Sequence, residues 1–92
     1  MTRHRLFALG EIVATANVLT YANQHGLDLL KLLNRHQHGD WGDLCDEDKA
    51  SNEAALTQPL RILSSYLEHG EKVWIITEAD RSMTTILLAQ DY

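Results

Sequence analysis

A single cysteine, a single proline and no apolar run long enough to cross a bilayer set the first limits on this 92-residue sequence. Cys45 alone cannot close an internal disulfide, and a zinc site would need several further ligands, so a reducing compartment fits the chain best. No stretch approaches the ~18 consecutive apolar residues of a membrane span. The opening MTRHRLFALGEIV is basic and then apolar, but Gly10 and Glu11 cut its apolar run to Leu6-Phe7-Ala8-Leu9, shorter than a signal-peptide core. These absences lead to the expectation of a soluble, cytoplasmic protein with no membrane association.

Positive charge is scarce as well. Thirteen acidic residues against eight Lys and Arg give a net charge of −5, and the bases nowhere cluster beyond Arg3-His4-Arg5. Without a basic stripe the chain lacks the electrostatic footprint that grips phosphates, and direct nucleic-acid binding is not expected. Gly-rich nucleotide loops are missing, Ser64, Ser65 and Ser82 lack a nucleophile-elbow pattern, and Cys45 sits among acids that suppress its thiolate. A calcium loop started at Asp46 fails too, because Ala50 and Thr57 fall where ligands are required. No cofactor is implied.

What is present is the composition of a folded domain, 45% apolar and 23% charged, enough for one hydrophobic core over residues 1–92 and no second one. Leu6 to Val13 reads as a first strand whose interior Gly10 marks a bulge or a close backbone approach. Thr15 then caps a helix with Ala16, Leu19 and Ala22 at three-residue spacing, ended by Gly26 in left-handed conformation with His25 beside its negative end. Leu27, Leu29, Leu30, Leu32 and Leu33 follow, dense enough for a helix buried on a wide face that stops by Gly39. On this reading either Leu30→Asp or Leu33→Asp unfolds the domain.

Asp43 or Asp46 is suited to cap a third helix running to about Thr57, with Asp46, Glu47 and Asp48 in its positive first turn. Trp41, between Gly39 and Gly42, reads as a loop aromatic that packs back on the core and needs a partner for its indole N–H. From Leu60 onward the pattern changes to LRILSSYL, KVWIIT and MTTILL, separated by turn residues at the spacing of an antiparallel meander. In the middle strand Val73, Ile75 and Thr77 share one face, and Trp74 and Ile76 the other. The expected fold is α+β: an antiparallel sheet of the N-terminal strand plus the C-terminal three-stranded meander, with about three helices on one face.

The segments FALGEIVAT, GDWGDL followed by DEDK and NE, RILSSY, and above all WIITEADRSMTTILL near a C-terminal tyrosine carry a resemblance over nearly the whole chain. In them the sequence resembles an uncharacterised family of small bacterial proteins carried on plasmids, integrative elements and integron gene cassettes. It departs from that pattern at Ala16-Asn17, where the family has Pro-Gly, at Ala89, where it has Pro, and at Cys45. The resemblance implies an accessory product of a mobile element and assigns no catalytic residue.

Candidate site residues are Trp41, Trp74, Glu78, Asp80, Arg81, His36 and His38. The knot Glu78-Ala79-Asp80-Arg81 is first of all a turn between two strands, with Asp80 and Ser82 bonding nearby amides and Glu78 pairing with Arg81. His36-Gln37-His38-Gly39-Asp40 has metal-ligand residue types, but a two-residue step puts the imidazoles on different helix faces, and the plain reading is a solvated helix end. With Trp74, Ile76, Ile86 and Leu88 taken as one apolar side, the leading expectation is a non-catalytic module that binds another protein, or itself as a homodimer, through that face and the Trp41 loop. The alternatives are a small enzyme or ligand binder using Glu78, Asp80 and Arg81 with His36 or His38, and a weakly acidic mimic that inhibits a nucleic-acid enzyme.

Overall fold

The computed structural model describes residues 4–92. Three helices, α1 (Ala16–His25), α2 (Leu29–Gln37) and α3 (Asp46–Ala55), lie between a short strand β1 (Glu11–Ala14) and the run β2 (Ile62–Glu68), β3 (Glu71–Thr77) and β4 (Met83–Leu88), with a 3-10 turn at Ala89–Asp91. The sheet order is β1-β4-β3-β2. Both pairings within the meander are antiparallel, as the sequence implies, whereas β1 runs parallel to β4. The parallel pair is possible because the helices and two strands intervene, the long connection such a pair requires.

The first strand is shorter than Leu6–Val13. Gly10 has φ of +65°, and a side chain there would overlap the Ser82 backbone, so the chain turns against β4 before β1 begins. Leu6 and Phe7, ahead of it, bond to α2 instead of the sheet: Leu6 N–H donates to the Gln37 carbonyl at 2.9 Å, and the Gln37 side-chain amide donates to the Phe7 carbonyl at 2.9 Å.

Helix α1 starts where Thr15 accepts a bond from Val18 N–H and ends at Gly26 with φ of +63°. Its buried positions are Val18 and Ala22, so Ala22 faces the core as expected, whereas Ala16 and Leu19 are exposed and Val18 takes the inward place given to Leu19. In α2, Asp28 caps the Lys31 amide, and Leu32, Leu33 and His36 are buried. Leu30 is 73% exposed, which corrects the expectation that its replacement by Asp unfolds the domain. Helix α3 carries Asp46, Glu47 and Asp48 in its first turn, but Cys45 occupies the cap position without a side-chain bond. Asp43 is used elsewhere: its carboxylate accepts from Leu67 N–H at 2.8 Å.

All three helices cover one sheet face. Val18, Leu32 and Leu33 pack with Tyr66, Val73, Ile75, Ile86 and Leu88, and a second cluster joins Trp41 and Ala55 to Ile62. Full burial of each such aliphatic side chain stabilises the fold by ~1.5–3 kcal/mol. Register puts Ile75 beside Ile86 and Trp74 beside Leu87, so Ile86 and Leu88 belong to the helix-covered face. The outer face instead carries Leu63, Trp74, Ile76, Thr85 and Leu87, of which Ile76 and Leu87 are themselves buried and the other three partly exposed.

The outer edge of β2 is closed by side chains and loop backbone. Asn52 accepts from Leu63 N–H at 3.1 Å and donates to its carbonyl at 2.6 Å, so its amide stands in for a neighbouring strand. Beyond it, Ser65 N–H donates to the Trp41 carbonyl, and Asp43 N–H donates to the Ser65 carbonyl. A covered edge offers no template for unwanted pairing.

Candidate functional site

A chain of polar side chains crosses the centre of the core. His36 Nδ1 lies 2.6 Å from Ser64 Oγ and Nε2 lies 2.9 Å from Thr77 Oγ1; Thr77 and Thr84 hydroxyls are 2.8 Å apart; Thr84 donates to the Leu9 carbonyl at 2.7 Å. The carbonyl at the end orders the protons as far as His36 Nε2, and burial, which keeps the ring neutral, leaves Nδ1 bare. Leu9 oxygen only accepts, so Thr84 spends its one hydrogen there and must accept from Thr77. Thr77 then accepts from His36 Nε2–H, and the bare Nδ1 accepts from the Ser64 hydroxyl. His36 is therefore the neutral Nε2–H tautomer, and burial lowers its pKa to about 3.

A bare imidazole nitrogen 2.6 Å from a serine hydroxyl is the geometry in which a base activates a nucleophile. Access decides against that use. His36, Ser64, Thr77 and Thr84 are all 0% exposed, and Phe7 closes the site edge-on to the imidazole at 5.2 Å while stacking on Trp41 at 6.3 Å. The network joins α2 to β2, β3, β4 and the N-terminal segment. Among the described residues it leaves no buried polar side-chain atom without a partner.

This overturns the solvated-end reading of His36. His38 stays near the surface, its Nδ1 donating to the Asn34 carbonyl at 2.7 Å, and Asp40 accepts from Arg35 Nε at 2.7 Å. That contact with the Arg35 guanidinium holds the Asp40 carboxyl below its usual range. Among the described residues no three His, Cys, Asp or Glu side chains gather as a metal-holding group.

The Glu78 knot is a turn with an unforeseen clasp. Arg81 N–H donates to the Glu78 carbonyl, and Ser82 N–H donates to the Asp80 carboxylate at 3.0 Å; bonds from Ser82 keep the Asp80 pKa low. Arg81, at φ of +61°, turns its guanidinium inward to the carbonyls of Ala55, Leu60, Glu78 and Ala79 and over the Phe7 ring. The Glu78 carboxylate pairs with Arg61 Nε at 3.5 Å rather than with Arg81. Glu78, Asp80, Arg81, His36 and His38 thus each have separate partners and do not form the acid–base cluster considered from the sequence.

Trp41 is 4% exposed, and its indole N–H donates to Glu53 at 2.9 Å. The partner needed by the indole is present, but the ring is spent on the core and the Trp41 loop offers it to no external surface. Trp74, by contrast, lies on the outer face. There the C-terminal turn folds back, tied at its base by Asn17 to Asp91, and brings Tyr92 to 5.3 Å from the Trp74 ring and within 3.1 Å of Arg61 Nη1. Arg61, Leu63, Trp74, Ile76 and Tyr92 line an open groove of about 250 Å³. Arg61 and Tyr92 lie outside the residues to which the sequence points; for Arg61 the signal is positional, since it stands just before β2 and two positions from Leu63, on the same side.

No protein-family model, curated protein or solved structure matches the chain. Among the described residues no helix is long and apolar enough to cross a membrane.

Proposed function

We propose that the protein is a non-catalytic interaction module that binds a partner protein in the outer-face groove. One contrast carries the reading: the Ser64–His36 pair is sealed in the core, whereas Trp74, Tyr92 and Arg61, the residue types that dominate binding hot spots, gather around one open groove. The lining suits an apolar or aromatic side chain packed on Leu63, Ile76 and the two rings, with an acidic or carbonyl group turned to the Arg61 guanidinium at the rim. The likeness of WIITEADRSMTTILL to proteins of mobile elements supports an accessory role in a bacterial cell, and the absence of a basic stripe favours protein over nucleic acid as the partner.

The test is site-specific photocrosslinking in a bacterial host. A photoreactive residue in place of Tyr92 should trap one discrete protein, and the yield should fall when Trp74→Ala is added. The same residue at Leu30, exposed on the helix-covered side, should trap none. Equal adducts from both positions, or none from position 92, would count against the groove as the binding surface.

A further inference from the structure

The two edges of the sheet are built differently. On β2 the outward groups of Leu63 and Ser65 and the N–H of Leu67 are engaged by Asn52, the Trp41–Asp43 backbone and the Asp43 carboxylate. On the other side β1 ends the sheet. Glu11 N–H donates to the Ser82 carbonyl and Thr15 N–H to the Ile86 carbonyl, so residues 11, 13 and 15 turn their backbone groups towards β4. By strand alternation the N–H and C=O of Ile12 and Ala14 point outward, and Ile12 is 48% exposed. Among the described residues β1 holds neither lysine nor proline, and its protection is limited to its four-residue length and the single charge of Glu11.

We propose that two copies of the chain associate through the outer edges of β1, pairing antiparallel about a two-fold axis at Val13. Parity selects this register. It sets Ile12 of each copy against Ala14 of the other as a hydrogen-bonded pair, so the two outward amides and two outward carbonyls of each strand are all used, in four interchain bonds. Val13 meets Val13 in the non-hydrogen-bonded position on the axis, and Glu11 meets Thr15, so no like charges face each other. A register centred on Ile12 would place Ala14 opposite Gly10, whose φ of +65° has already turned the chain out of the strand. A second copy suits the edge better than a long foreign strand, because pairing can extend only from Glu11 to Thr15 before α1 begins at Ala16. The result is a continuous eight-stranded sheet that leaves the Trp74–Tyr92 groove open in each copy. A contact this short falls below the ~1,000 Å² of a stable interface, so the dimer is weak and concentration-dependent.

Sedimentation equilibrium from micromolar to millimolar concentration tests the association, and cysteine cross-linking tests the register. The unmodified chain should show a monomer–dimer equilibrium, and Ile12→Pro should shift it to monomer while far-UV circular dichroism stays native, because the lost N–H points away from β4. In a Cys45→Ser background, Val13→Cys should form a disulfide dimer under mild oxidation, since non-hydrogen-bonded partners place their Cα atoms ~4.5 Å apart, within disulfide reach. Glu11→Cys should not. This cross-link stands as a separate test should the proline variant fail to fold. A strictly monomeric chain at millimolar concentration would overturn the proposal. So would a dimer that survives Ile12→Pro in a folded chain, one abolished by Trp74→Ala, or equal cross-linking at positions 11 and 13.

Discussion

Ser64 donates its hydroxyl proton to Nδ1 of His36 across 2.6 Å, from β2 to α2, in a place that no solvent reaches. Two residue types associated with catalysis thus serve as an internal fastener. The ring holds the helix to β2 through one nitrogen and to β3 through the other, with the Thr77–Thr84 pair extending the link to β4 and the N-terminal segment.

This arrangement has a pH signature. In the folded chain His36 is neutral down to about pH 3, whereas in the unfolded chain it takes up a proton near 6.5. Between these values the unfolded state binds more protons, so stability is unaffected above 6.5 and falls as the pH drops below it, by up to ~1.4 kcal/mol per pH unit. Urea unfolding between pH 7 and 5, above the main carboxylate titrations, should show this slope, and His36→Gln should lose it while being less stable at pH 7.

Arg81 is expected to be a stability residue. Removing its guanidinium leaves the Ala55 and Leu60 carbonyls without that donor, and Arg81→Ala should lower the unfolding free energy by ~2–3 kcal/mol. Arg81→Lys should recover little, because one ammonium cannot reproduce the planar fork. Chemical denaturation reads both.

The Asn52 amide completes the β2 edge, so Asn52→Ala should cost ~1–3 kcal/mol by leaving the Leu63 backbone groups unpaired. The same variant should aggregate faster than the parent chain on heating, since it reopens an edge. Light scattering during a thermal ramp measures this.

Leu30 and Leu33 differ sharply. Leu33→Asp buries a carboxylate in the main cluster and should prevent folding, whereas Leu30→Asp, at a position 73% exposed, should change stability by no more than ~0.5 kcal/mol. Circular dichroism of the two variants separates them.

The pattern of what the sequence revealed follows from the range of the interactions. Thr15 and Gly26 are local signals for the ends of α1, and the spacing of turns from Glu68 to Ser82 is a local signal for the meander; both elements form as expected. The indole of Trp41 announces its need for a partner by its chemistry alone, and Glu53 meets it. In the leucine run the density that suggests burial also hides the face, since five leucines in seven positions cannot all point inward. His36 falls three and four positions after Leu33 and Leu32 and so continues their stripe; that spacing was the signal of its burial. Its partners Ser64 and Thr77 lie 28 and 41 residues away in sequence, and no local pattern encodes such a meeting. The inward row Val73, Ile75, Thr77 did contain one clue, a hydroxyl among aliphatics that needs a partner once covered. The parallel direction of β1 was likewise hidden, because it depends on where the helices return the chain.

The sealed core network, on which the assignment of function to the surface depends, is tested most directly by long-range nitrogen–proton NMR of the histidine rings between pH 8 and 5. His36 should show a protonated Nε2 and a bare Nδ1 with shifts that do not move across that range. Titration of the His36 ring near pH 6.5, or a proton resident on Nδ1, would contradict the account.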